Sequence, residues 1–191
     1  MPAALEVEVK ARADPEAVRR RLGELGATPL GVEEQEDVYY EHPCRRMLEA
    51  DEALRLRLSG SRAELTYKGP RSGDGAKSRL ELTLRVDDPA AARAILERLG
   101  FREAIRVRKR REVYRLGRAL VSIDEVEGLG AFVEVEGVSE AEALDLLERL
   151  GAREVVRETY PELLAARGLG NPSYGATPDD FDSGLEDPPL R

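Results

Sequence analysis

The sequence predicts an α+β fold in which eight β-strands are combined with four helices. Eight short segments are predicted strands, and polar and apolar side chains alternate with a period of two in most of them, which is typical of strands that bury one face. These segments are residues 5–11, 37–41, 53–59, 63–69, 78–86, 106–114, 119–126 and 131–136. Helices are predicted at residues 15–25, 89–99, 139–150 and 161–167. With 191 residues, the chain is long enough for one domain with a core.

The first strand carries a row of charges in the segment Glu6-Val7-Glu8-Val9-Lys10. Alternate side chains of a strand share a face, so Glu6, Glu8 and Lys10 lie on one side and the valines on the other. Such charges are costly to bury without partners. We therefore expect this face to line a cavity that holds metal ions and an anion. For a single strand of this kind, a solvated sheet face is the alternative.

The same alternation returns in two later strands, at residues 80–85 and 132–136. The three strands lead into helices with candidate N-caps at Asp14, Asp88 and Ser139 and candidate C-terminal stops at Gly26, Gly100 and Gly151. A repeated strand–helix unit places Glu6 and Glu81 at matching positions. The apolar stripes of the helices are expected to cover the leucine faces of the strands.

Basic and acidic side chains both occupy the charged faces of the strands. The basic residues are Lys10, Arg55, Arg57, Lys68, Arg79, Lys109 and Arg111, and the acidic ones are Glu6, Glu8, Glu81, Asp124, Glu134 and Glu136. Guanidinium groups match phosphate oxygens, and carboxylates two residues apart on a strand can share Mg²⁺. The charged faces either contact water, form a network of salt bridges, or face each other across a closed barrel that receives a polyanion and cations.

Composition excludes several classes of function. A net charge of -8 argues against nonspecific binding of nucleic acid, which usually needs a basic surface. No apolar run approaches the roughly 20 residues of a membrane span, and the N-terminus has no signal-peptide core. We therefore expect a cytoplasmic protein with no membrane or nucleic-acid partner. The sequence is compatible with a homodimer but does not determine the oligomeric state.

The chain has one cysteine, Cys44, and one histidine, His42. A disulfide, a thiolate cluster and a histidine-rich zinc site are therefore excluded within the chain. Any metal site must be built from carboxylates, which suit hard cations such as Mg²⁺ or Mn²⁺.

Residues 168–191 differ from the rest of the chain because glycine, proline and acidic residues dominate and apolar periodicity is absent. This composition predicts a disordered acidic tail. The predicted domain organisation is a folded domain at residues 1–167 followed by that tail.

Five ordered motifs resemble the CYTH family, the triphosphate tunnel metalloenzymes, and within it the class IV adenylyl cyclase branch. They are the E-x-E-x-K signature at Glu6, Glu8 and Lys10 and the segments 35–43, 51–57, 65–70 and 124–136. The resemblance covers about residues 1–165 and implies an eight-stranded antiparallel barrel that forms a tunnel, with amphipathic helices packed outside. Where the family often has a second acid two residues after Glu81, this chain has Thr83.

The resemblance also implies roles for individual residues. Mg²⁺ or Mn²⁺ would be bound by Glu6, Glu8, Asp124, Glu134 and Glu136. The triphosphate would be held by Lys10, Arg55, Arg57, Lys68, Lys77, Arg79, Lys109 and Arg111. Lys10, Glu8 and Glu136 are the predicted catalytic residues.

Two reactions fit such a tunnel. In a cyclase, the ribose 3′-oxygen of ATP attacks the α-phosphorus and pyrophosphate leaves; in a triphosphatase, water attacks the terminal phosphorus. The motifs of the branch favour the cyclase, and an inorganic or organic triphosphatase is the alternative. A sensor that binds nucleotide or polyphosphate without catalysis is a third interpretation, which the full acidic set disfavours.

Overall fold

The computed structural model describes residues 8–45, 47–72 and 78–169. Its elements in chain order are β1 Glu8–Arg12, α1 Pro15–Glu24, β2 Thr28–Glu41, β3 Ala53–Ser59, β4 Arg62–Ser72, β5 Ser78–Arg85, α2 Pro89–Arg98, β6 Arg102–Leu116, β7 Ala119–Val126, β8 Gly130–Glu136, α3 Glu140–Arg149, β9 Glu154–Val156 and α4 Tyr160–Ala166. No helix within these ranges is long and apolar enough to cross a membrane.

All described strands belong to one antiparallel sheet in the order β5-β4-β3-β2-β6-β7-β8-β1-β9. Its charged inner face surrounds a cavity, so the predicted α+β tunnel fold is confirmed, although no hydrogen-bonded ladder in the described residues joins the two ends of the sheet. A ninth strand, β9, which was not predicted, pairs with β1 over three residues. Strand β2 also begins at Thr28 rather than at residue 37 and is held there by its ladder with β6.

Two of the helices cover the outer face of β1, β7 and β8. Val18 and Leu22 of α1 and Leu147 of α3 are almost fully buried in a cluster with valines of the strands. Burial of each such side chain contributes about 1.5–3 kcal/mol. The predicted caps are present, since Asp14 accepts a hydrogen bond from the Glu16 amide and Ser139 forms a capping box.

The third outer helix, α2, covers β2 and β3 but not the edge strand. Its Leu96 packs in a buried cluster with Val38, Tyr40 and Leu56. The outward leucines of β5 stay exposed: Leu80, Leu82 and Leu84 are 46%, 56% and 56% exposed. The expectation that helices cover the leucine faces therefore holds for the inner strands of the sheet and fails for β5, which lies at its end.

The fourth helix, α4, packs at one end of the inner face of the sheet. Its Tyr160 and Leu164 form a buried cluster with Val107 of β6 and Phe132 of β8. Val107 shares the inward face of its strand with Lys109, because residues two apart lie on one side. One end of the tunnel is therefore apolar and filled by α4, and the charged residues line the rest.

The end of α4 lies at the predicted boundary of the acidic tail, which stays a prediction because residues from 170 onward lie outside the described part. The Leu169 amide donates to the Leu164 carbonyl and the Gly168 amide to that of Ala165, which closes the helix. A chain ending at Leu169 should keep its melting temperature and turnover. A chain ending at Arg167 loses this cap, worth about 0.3–1.5 kcal/mol, and should melt about 1–5 °C lower.

Thermal melting and turnover of the two truncated chains and the full chain check this prediction. Loss of most activity in the chain ending at Leu169 would show that the tail packs on the domain.

Candidate active site

The inner face of the sheet surrounds a cavity of about 350 Å³. The predicted site residues that line it are Glu8, Lys10, Arg55, Arg57, Lys68, Arg79, Lys109, Arg111, Glu134 and Glu136. The predicted residues Glu6 and Lys77 lie outside the described residues. Asp124 is the one described candidate that does not line the cavity, because it is fully buried behind two of the basic residues.

Arg55 and Arg57 share the inward face of β3 and are organised by Asp37 of β2. Nε and Nη2 of Arg57 each donate to one Asp37 oxygen over 2.6 Å, while Nη1 of Arg55 is 3.8 Å from Asp37 Oδ2. Burial alone would raise the pKa of Asp37, but the hydrogen bonds from Arg57 and the charges of both arginines lower it to about 2. Nε of Arg55 is buried without a hydrogen-bond partner among the described residues.

Asp124 of β7 accepts hydrogen bonds from Lys109 and Arg111 of β6, as Asp37 does from Arg57. Its Oδ2 accepts a hydrogen bond from Lys109 Nζ at 2.9 Å, and Arg111 binds both oxygens over 2.6 and 2.5 Å. The hydroxyl of Tyr160 donates to Oδ2 at 2.9 Å. Asp124 is thus surrounded by donors and holds two bases at the cavity wall.

The acidic wall of the cavity is formed by β1 and β8. Glu8 lies opposite Glu136 in the register, and Lys10 lies opposite Glu134. The nearby charge of Glu134 raises the pKa of Glu8 above its ordinary value. Burial alone would also raise the pKa of Glu134, but Arg111, Lys109 and Lys10 outweigh it and lower that pKa. The carboxylates of Glu8 and Glu134 are therefore close enough to repel each other.

This wall fits a hard divalent cation by its donor chemistry. Like charges directly opposite each other on neighbouring strands are unfavourable, and a bound cation would remove that repulsion. No group of three or more acidic, histidine or cysteine side chains forms a ready-made cage in the described ranges. Mg²⁺ does not require one, since it keeps several waters and is usually bound by one or two carboxylates together with substrate phosphates.

Two further bases that line the cavity, on β4 and β5, have internal partners. Lys68 Nζ donates to Glu81 Oε1 at 2.5 Å. Arg79 donates to the backbone carbonyls of Gly69 and Asp51 at 2.8 and 2.9 Å, so part of its guanidinium positions the rim of the cavity. Thr83, which stands where the family often has an acid, is 3.0 Å from Thr66, hydroxyl to hydroxyl.

Sequence reasoning missed three residues that complete the site, namely Asp37, Tyr39 and Tyr160. Asp37 and Tyr39 share the face of β2 that enters the cavity, a pattern visible in the alternation of residues 37–41. Tyr160 stands one position before the predicted start of the last helix, and no local pattern shows that this helix turns inward.

Comparison with known proteins identifies the family of the chain. The family model of the CYTH domain matches residues 4–159. A protein of Methanocaldococcus jannaschii that carries a provisional adenylate cyclase name is 36% identical over 177 residues, covering 86% of this chain and 99% of the relative. The protein named adenylate cyclase CyaB of Aeromonas hydrophila is 30% identical over 167 residues, covering 81% and 84%.

A solved structure gives the same result for the fold. The PH1819 protein from Pyrococcus horikoshii OT3 is 36% identical and superposes with a TM-score of 0.74, over 85% of this chain and 99% of that one. The segment that the CYTH domain matches, residues 4–159, contains every described lining residue of the cavity except Tyr160, Pro161 and Glu162. The charged tunnel, the sequence motifs and these matches together show that the chain belongs to the CYTH family.

Proposed function

We propose that this protein is an enzyme that acts on a triphosphate with the help of a divalent cation. The observation that carries this proposal is the convergence of basic side chains on one cavity, one of which, Arg55, has a buried Nε–H without a partner in the described residues. A buried unpaired donor is unfavourable unless a ligand satisfies it. A phosphate oxygen is the acceptor that suits a guanidinium best.

The basic residues of the cavity bind the phosphates, and the acidic residues of β1 and β8 bind the cation. Arg55, Arg57, Lys68, Lys109 and Arg111 bind the phosphate oxygens. Asp37, which lines the cavity, and Asp124, which lies behind its wall, hold the bases in place, and their negative charges offset part of the positive charge of those bases. Charge-assisted hydrogen bonds of this kind are about twice as strong as neutral ones, so the clamp binds a polyanion in preference to a neutral ligand.

Glu8, Glu134 and Glu136 would hold Mg²⁺ or Mn²⁺, with Glu6 as a further candidate. The cation would neutralise charge on the phosphoryl oxygens when bound. Lys10 lies on the same wall, and its ammonium stabilises negative charge that develops on the transferred phosphoryl group. The proton of the attacking hydroxyl passes to Glu8 or Glu136, whose carboxylates border the cavity.

We favour the cyclase reaction, in which the ribose 3′-oxygen of ATP bonds to the α-phosphorus and the bond to pyrophosphate breaks. It is supported by the branch motifs and by the names of both curated relatives. The composition of the cavity lining favours a triphosphatase instead. Most of the lining residues are charged, and the aliphatic ones are Leu48, Ala53 and Pro161. Such a lining suits phosphates better than a purine base.

Product identification tests the proposal. The protein is incubated with ATP, thiamine triphosphate or tripolyphosphate and with Mg²⁺ or Mn²⁺. Cyclic AMP with pyrophosphate is the expected result, and orthophosphate would select the triphosphatase. Tight binding without turnover would reject the enzyme and select a sensor. The cytoplasmic location and the absence of nucleic-acid or membrane partners stay predictions from composition.

A further inference from the structure

Tyr160 contacts two of the lysines that line the cavity, although it belongs to a helix outside the matched domain segment. Lys10 Nζ lies 4.3 Å from the centre of its ring and Lys109 Nζ lies 5.0 Å from it. The ring is only 7% exposed and is packed edge-on against Phe132 at 5.2 Å. Its hydroxyl donates to Asp124. One side chain therefore contacts two ammonium groups and the carboxylate that binds one of them.

The arrangement solves a problem that the two lysines create. Two ammonium groups repel each other, and each sits on a flexible four-carbon stem. The face of an aromatic ring attracts cations, so one ring can hold both near the same place. Lys10 also donates to the Glu158 carbonyl at 2.6 Å and Lys109 to Asp124 at 2.9 Å. An ammonium has three donors, so donors remain for a ligand in the cavity.

We propose that Tyr160 is a positioning residue, whose ring orders Lys10 and Lys109 before the phosphate arrives. This inference rests on the proposed function of the cavity. Ordering a flexible side chain in advance reduces the entropy lost on binding, so the effect appears as ligand affinity. The ring, rather than the hydroxyl, provides this order, because the ring alone contacts both lysines.

The helix offers a matched control for mere loss of packing. Leu164, one turn later in α4, is 3% exposed in the same apolar cluster and does not line the cavity. Leu164→Ala should weaken the packing of α4 without altering the lysines. Its comparison with the Tyr160 variants separates a positioning role from a structural one.

The experiment measures calorimetric binding of tripolyphosphate in Mg²⁺ to the full chain, with thermal melting of each variant. Tyr160→Leu should raise Kd about tenfold, equivalent to about 1.4 kcal/mol. Tyr160→Phe keeps the ring and should stay within about threefold of the unaltered protein. Leu164→Ala should lower the melting temperature while Kd changes less than about twofold.

A second pair of variants at position 160 tests the inference if Tyr160→Leu does not fold. Phenylalanine and pentafluorophenylalanine at position 160 share a shape and lack the hydroxyl, but fluorination reverses the charge distribution of the ring. The fluorinated variant should bind about tenfold more weakly than the phenylalanine variant. Equal Kd values for this pair, or a Tyr160→Leu variant no weaker than Leu164→Ala, would overturn the inference. Absence of tripolyphosphate binding in the unaltered protein would instead overturn the proposed function, and this inference with it.

Discussion

Replacing Glu134 or Glu136 with glutamine is expected to lower turnover at least about 100-fold while the fold survives. Glutamine keeps the shape of the side chain and its ability to accept a hydrogen bond, but it removes the charge that binds a hard cation. Mutation of residues that hydrogen-bond to metal ligands typically lowers metal affinity or activity about 10–100-fold. Mutation of the ligands themselves should lower activity at least as much. Steady-state turnover in Mg²⁺, with circular dichroism for the fold, provides the measurement.

Glu97→Gln is the matched control, because Glu97 is exposed on α2 and does not line the cavity. This variant should be as active as the unaltered protein, and EDTA should abolish turnover in both. Full activity in EDTA, or in the Glu134→Gln and Glu136→Gln variants, would contradict the assignment of the acidic wall to a metal.

The two arginines of β3 should give different results when each is changed to alanine. Each change removes charge-assisted bonds worth roughly 1.5–3 kcal/mol, so the affinity for tripolyphosphate should fall about 10- to 100-fold. Arg57→Ala should also destabilise the fold by roughly 3–5 kcal/mol, since it leaves the buried Asp37 without its bidentate partner. Arg55→Ala should cost less stability, because the pair of Arg57 and Asp37 remains intact.

Calorimetric binding and denaturant unfolding measure the two effects separately. Adding Asp37→Asn to Arg57→Ala removes the buried charge and should recover most of the lost stability without recovering the affinity. Unchanged binding in both single variants would place these arginines outside the binding site. Equal stability of the two single variants would argue that Asp37 does not depend on Arg57.

The charged walls were predictable because a strand has a period of two, and that period alone assigns side chains to a face. Glu8, Lys10, Arg55 and Arg57 reach the cavity for this reason. Periodicity does not say how deep along a strand a side chain lies or what stands beside it. For Asp124, to which the family resemblance assigns a metal, the neighbours in the fold are Lys109, Arg111 and Tyr160, and its role toward a metal stays a prediction.

The position of α4 could not be predicted from its own residues, which only indicate a short helix. A signal does exist elsewhere: Ile105, Val107 and Phe132 are apolar and lie on the same strand faces as the charged residues that follow them. Those charged residues are Lys109, Arg111, Glu134 and Glu136. An apolar end of a polar tunnel requires an apolar partner, because burial of polar groups there would be costly. The three-residue β9 gave no signal, since its pairing with β1 depends on the tertiary fold.

The measurement that tests the central claim most directly is a calorimetric titration of the unaltered protein with tripolyphosphate, in Mg²⁺ and then in EDTA. The account predicts one tripolyphosphate bound per chain in Mg²⁺, with weaker binding in EDTA and about 10- to 100-fold weaker binding to the Arg55→Ala variant. Absence of binding to the unaltered protein, or equal affinity in the Arg55→Ala variant, would contradict the claim that this cavity receives a triphosphate.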